Sequence, residues 1–210
     1  MTNYSDRSNL LSMRKIHSKD KLIEAGLELV LKQGFNATGV EAVLKHAKIP
    51  KGSFYNFFSS KEEFGLELIN AFSTRNAAAM RESLEDRSLN PLERIRKSFE
   101  QLIAIFERRK YSGGCLIGNL SLEMAESSEA FRDRLEKALH RWAETLSALF
   151  LEAQKEGNLP DDLNAKMMAE HIISSFEGAL LLSRVKKSSQ PLNDFMYMYF
   201  DLFLTRLREK

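Results

Sequence analysis

The chain has 210 residues, of which 43% are apolar and 29% charged, with a formal net charge of +2. This composition excludes a disordered chain and is enough for a sizeable core. No run of 18 uncharged apolar residues offers a membrane span, one cysteine excludes an internal disulfide, and "MTNYSDRSNLLSMRK" lacks a signal-length apolar core, so a cytoplasmic location is expected.

Charge is unevenly spread. Residues 1–62 carry ten Lys/Arg against six Asp/Glu, and the remainder carries 21 against 23. The N-terminal third is therefore the better match for a polyanion. Only four prolines and ten glycines interrupt apolar residues that recur every three to four positions, so an all-α fold is predicted, with no internal repeat.

The first helix is predicted over about 18–33, with Ser18 as its cap, Leu22, Gly26, Leu29 and Val30 inward, and Gly34 as its stop. Thr38 is the expected cap of a short second helix carrying Val40, Val43, Leu44 and Ala47 on its inner side. The turn "KIP" leads to a third helix over about 50–56, opened by Pro50. Ser60 and "KEE" begin a fourth, running to about 84.

Pro91 opens a helix to about 110, ended by "YSGG". A short helix follows over about 115–125, then a long one over 128–156. Two more fill 162–186 and 191–208, for nine in all. The last two are so apolar that they need cover on more than one face. A dimer seam explains this directly, and burial within one chain is the alternative.

Helix, short helix, tight turn and short helix is the layout of a helix-turn-helix. In "PKGSFYNFFSSKEEF", residues 50–64, Phe54, Phe57 and Phe58 are expected to pack inward. Lys51, Ser53, Tyr55 and Asn56 are expected to project outward, where phosphates and base edges need donors.

These residues resemble the TetR family of transcriptional regulators. The resemblance rests on Gly34-Phe35, Thr38, Val40, Ala47 and Ile49, on Lys51-Gly52-Ser53-Phe54-Tyr55 and Phe58, and on Ser60-Lys61-Glu62. It implies a nine-helix TetR-like architecture: a DNA-binding unit over 1–62 and a ligand-binding and dimerisation bundle over 63–210. It also implies a homodimeric repressor on a palindromic operator of double-stranded DNA, released by a small effector. Thr38 and Lys61 become phosphate contacts and Tyr55 a phosphate or thymine-methyl contact. Lys51, Ser53 and Asn56 become base readers, with Gly52 allowing close backbone approach. Two positions depart from the family pattern. Lys48 replaces a turn glycine, and Gly39 replaces a second hydroxyl after Thr38.

"YSGGCLIGNLSLEMA" places Cys115 at a helix N-terminus, close in sequence to Arg108, Arg109 and Lys110. The helix dipole there favours a thiolate, whereas Leu116, Ile117 and Leu120 could instead bury the sulfur and keep it neutral. The glycine-cysteine-leucine run, followed by Asn-Leu and a later glutamate, resembles a TetR subgroup that includes repressors responding to electrophiles and oxidants. That resemblance makes Cys115 the sensor. Trp142 is a second effector candidate as a pocket wall, with core packing the alternative.

His17, His46, His140 and His171 are scattered without metal-ligand spacing, so no metal site and no cofactor are expected. An all-helical carrier of apolar ligands and a thiol-dependent enzyme using Cys115 remain the other readings. The enzyme reading lacks a base tied to the cysteine by any motif, and no enzymatic activity is expected.

Overall fold

A computed structural model describes residues 4–208, with side chains from 17 to 207. Helix α1 spans Tyr4–Gln33. It begins well before the predicted start at Ser18, because no glycine or proline lies between residues 4 and 17 to stop it. Helix α2 spans Val40–Ala47 and its cap is Gly39. Thr38 does not cap it. The Thr38 side chain is buried and its hydroxyl donates to the Gly34 carbonyl at 2.6 Å.

The predicted third helix over 50–56 is reduced to a single 3-10 turn, Phe54–Asn56. Gly52 sits at φ +89°, a left-handed conformation that interrupts a right-handed helix immediately after Lys51. Lys48 also lies in the left-handed region, at φ 56°, where its backbone N–H closes α2 on the carbonyls of Leu44 and Lys45. A side chain in that conformation costs about 1 kcal/mol. Lys48→Gly is therefore expected to raise stability by up to about 1 kcal/mol, less the extra entropy of the unfolded glycine, as read by thermal melting.

Helix α3, Lys61–Glu85, starts where the Ser60 hydroxyl accepts the Glu63 N–H at 3.0 Å. It runs from the N-terminal helices into the bundle without a break. Helix α4, Pro91–Arg108, opens on a reciprocal pair in which Asn90 and Glu93 each accept the other's backbone N–H. Helices α5, Leu116–Met124, α6, Glu129–Lys155, and α7, Ala165–Lys186, follow. The last predicted helix is α8, Gln190–Met196, a π-helical stretch Tyr197–Phe203, and α9, Leu204–Arg208, in unbroken succession. Among the described residues every element is helical, and no helix is long and apolar enough to cross a membrane.

Two close helix crossings join the halves. At Gly26 an added Cβ would strike the Phe64 ring and come within 2.8 Å of Leu68, so α1 rests directly on α3. At Gly65 it would meet the rings of Phe35 and Phe131, which pack on each other at 4.9 Å. The bundle core is centred on Phe99, against Phe176 at 5.0 Å and Phe195 at 5.4 Å.

Candidate nucleic-acid interface and effector cavity

The segment 50–58 is amphipathic over a very short length. Phe54 and Phe58 are sealed, and both rings lie about 5 Å from Phe64 of α3. Phe57 is half-buried. The neighbouring Tyr55 is 67% exposed, its ring meeting Phe54 edge-on at 5.4 Å. Asn56, Lys51 and Gly52 are exposed beside it, and Ser53 is half-buried. A side chain at Gly52 would find open space, so the glycine answers a backbone need and relieves no crowding.

Lys51 pairs with Glu41 at 3.0 Å, both groups largely in solvent. Such a pair contributes little and exchanges readily for a phosphate. Lys61 is tied inward. Its ammonium lies 4.6 Å from the Phe35 ring centroid and donates to the Asn36 carbonyl at 3.3 Å. Thr38 is also internal, accepting from Gln33 Nε2 at 3.3 Å as well as donating to Gly34. Its hydroxyl therefore shapes the loop between α1 and α2, because both partners are protein. The sequence reading missed the exposed Lys45 near the end of α2, beside Lys48 and Lys51 in the chain. Its signal was the single lysine of a short helix already placed next to the turn.

The bundle holds a cavity of about 930 Å³ between α3, α4 and α6, reaching the start of α5. Phe72, Met80, Leu102, Ile117 and Leu149 give it apolar walls, and both Cys115 and Trp142 line it. The Trp142 ring that lines the cavity also packs on the core, 6.1 Å from Phe99 and 6.2 Å from Phe176. Its indole N–H and the Ser73 hydroxyl at the cavity wall have no hydrogen-bond partner among the described residues. Arg94 borders the far end, 3% exposed, donating to the Leu84 carbonyl at 2.7 Å and to Glu152 at 2.9 Å.

Cys115 is the N-cap of α5, entered through a strained loop in which Lys110, Tyr111, Gly113 and Gly114 all have positive φ. The thiol is buried, and burial together with the nearby Glu177 carboxylate pushes its pKa well above the ordinary value. Of the two states left open by the sequence the buried one prevails: desolvation and a negative neighbour outweigh the helix dipole. Burial raises the Glu177 carboxyl too, and the thiol's hydrogen bond offsets part of that rise. Glu177 was not picked out in the sequence, because 62 residues separate it from Cys115.

At the other end of α5, Glu123 reaches the loop between α1 and α2. Its carboxylate accepts the backbone N–H of Phe35 at 2.8 Å and of Asn36 at 2.6 Å. Sequence showed this glutamate only as part of a motif, with no partner.

Residues 22–68 match the family model described as bacterial regulatory proteins, tetR family. Residues 91–199 match the tetracyclin repressor-like C-terminal domain. The chain is 37% identical over 188 residues to the transcriptional regulator AcuR of Cereibacter sphaeroides, covering 90% of this chain and 86% of AcuR. It is 30% identical over 192 residues to the HTH-type transcriptional repressor DhaR of Mycobacterium sp. (strain GP1), covering 91% and 95%. The crystal structure of the reduced form of E. coli NemR superposes with a TM-score of 0.78 at 25% identity, covering 90% of this chain and 96% of that one. With both halves matched and a relative of this identity aligned nearly end to end, the chain belongs to the tetR family of bacterial regulatory proteins.

Proposed function

We propose that the protein is a homodimeric transcriptional repressor that binds a palindromic operator and releases it when the cavity is filled or Cys115 is modified. The observation that carries this reading is the reversal at residues 54–56. Phe54 is sealed, while Tyr55 and Asn56 stand in solvent beside Lys51. A core segment has no use for those exposed groups, whereas a DNA groove does.

In this reading Lys51, Tyr55 and Asn56 touch DNA directly, and Gly52 lets the backbone approach. Ser53, half-buried, contributes its hydroxyl at the edge. Thr38 and Lys61 act mainly by shaping the loop between α1 and α2. The boundary between the units falls at about residue 62, within the first turn of α3.

The apolar side chains left exposed on the last helices support a second copy of this chain as partner. Leu181, Leu182 and Val185 on α7, with Tyr197, Met198 and Phe203 beyond it, all stand in solvent in the single chain. A two-fold seam there sets two helix-turn-helix units one DNA turn apart, about 34–36 Å. The effector must bind the DNA-free arrangement more tightly than the bound one.

Repression is supported by the name of the relative DhaR. Control through the thiol is supported by the place of Cys115 on the cavity wall and by the likeness to NemR, solved in a reduced form. Because the thiol is neutral, it is expected to react slowly at neutral pH and faster as pH rises, and the cavity is equally open to a reversible ligand.

Selection from a random duplex pool tests the reading. A palindrome should be enriched, and its affinity should fall steeply with salt as phosphate contacts displace counterions. Enrichment of no duplex would refute it. On that duplex, Cys115→Ser should bind as the native chain does. N-ethylmaleimide, with modification followed by mass, should release the native chain and leave the serine variant bound. Equal release of both would remove Cys115 from the mechanism and leave a reversible cavity ligand.

A further inference from the structure

We propose that Glu123 is the positioning residue that couples the Cys115 end of the cavity to the DNA-binding unit, with α5 as the rod between them. This rests on the regulator reading above. Cys115 caps α5 and Glu123 lies in its last turn, about 12 Å further along at 1.5 Å per residue.

Both carboxylate oxygens of Glu123 are used across the unit boundary, one on the Phe35 N–H and one on the Asn36 N–H. Charged acceptors at 2.6–2.8 Å make strong, short bonds with little slack. The loop they hold joins α1 to α2 and is tied to the start of α3. Lys61 donates to the Asn36 carbonyl and covers the Phe35 ring, and Thr38 bonds back to Gly34. Gly34 has φ +87°, and a Cβ there would lie 3.1 Å from Glu123 Oε2. The glycine thus serves both the turn and the close approach of the carboxylate.

The opposite end of α5 is held just as firmly. Asn119 donates to the Gly113 carbonyl at 2.6 Å and accepts from Arg184 of α7 at 3.3 Å. Glu177 of α7 occupies the space that a side chain at Gly118 would take. A ligand or adduct at Cys115 therefore presses on the first turn of a helix that packs on α6 and is braced by the Glu177 and Arg184 side chains of α7. The displacement left to α5 is transmitted to the two bonds at residues 35 and 36. Coupling of this kind is reciprocal, so DNA binding also changes the cavity.

A double-mutant cycle tests this without any effector. Cys115→Met lengthens the side chain where an adduct would form, and Cys115→Trp does so more strongly. Amide hydrogen exchange at Phe35 and Asn36 and affinity for the selected duplex are the readouts. Cys115→Met is expected to speed exchange at both amides and weaken duplex binding at least tenfold in the native background. In Glu123→Ala, where these amides are already unprotected, the same change should alter either readout less than twofold. Glu123→Gln should fall between, since the amide keeps one acceptor and loses the charge.

Equal effects of Cys115→Met with and without Glu123 would overturn the proposal. So would unchanged exchange at residues 35 and 36 in both Cys115→Met and Cys115→Trp. A native chain that binds no duplex would sink the regulator reading instead, and the exchange measurements would still decide whether the two residues are coupled.

Discussion

Phe54→Ala is expected to cost about 3–5 kcal/mol of stability, the usual loss for a fully buried phenylalanine. Its ring lies within about 5.4 Å of three other rings, those of Tyr55, Phe58 and Phe64, and none of its surface reaches solvent. Removing it leaves a void between α3 and the short turn, with no regular helix there to hold its own shape. Urea unfolding should show the loss, and duplex binding should disappear with it. The next residue should behave oppositely. Tyr55→Ala removes an exposed ring, so stability should change by less than about 0.5 kcal/mol. Duplex affinity should nevertheless fall tenfold or more, about 1.4 kcal/mol. A stable Phe54→Ala variant, or a Tyr55→Ala variant with unchanged affinity, would show that inward and outward faces are assigned wrongly.

The second large effect is expected at the exposed end of α7. Val185 is 75% exposed and Leu181 53%, one helical turn apart on the same side. As a monomer surface this patch tolerates aspartate easily. Within a dimer seam, Leu181→Asp with Val185→Asp brings four carboxylates into an apolar contact, where unpaired charges are strongly disfavoured. The dimer constant should weaken at least a hundredfold, about 3 kcal/mol, in analytical ultracentrifugation. Helix content should be unchanged, and binding to the full palindrome should fall to that of a half-site. An unaltered dimer constant would place the seam elsewhere on the molecule.

The helices were legible wherever local chemistry is complete within a few residues. Asn90-Pro91 with Glu93, and Ser60 with Glu63, are start signals whose partners lie three positions away, and both helices begin there. Boundaries failed where the signal was ambiguous. Ser18 reads as a cap, yet a helix already under way from Tyr4 has no reason to restart at it. Residues 50–56 carry a helical pattern of aromatics, but Gly52 in a left-handed conformation leaves room for only one 3-10 turn.

The candidate sites divide in the same way. Tyr55 and Asn56 could be assigned outward from alternation with Phe54 and Phe58 alone, because a short segment on a core must bury one side. Thr38 and Lys61 could not be assigned that way. Their hydroxyl and ammonium find partners in a loop whose shape is set by Phe35 against Phe131. The state of Cys115 was likewise open, since the dipole and burial act in opposite directions on a thiol. Glu177, far away in sequence, helped to decide it.

Sequence by itself therefore determined the helical class, the order of the elements and the turn whose polar side stands in solvent, with Tyr55 and Asn56 outward and Phe54 and Phe58 inward. Each depends on periodicity, capping and spacing between near neighbours. Tertiary structure alone decided that Cys115 is a neutral thiol, that Trp142 and Cys115 share one cavity, and that Glu123 holds the loop at Phe35 and Asn36. The reason is range. Desolvation, cavity shape and a hydrogen bond across 87 residues arise only when distant helices are packed together, and no local pattern encodes them.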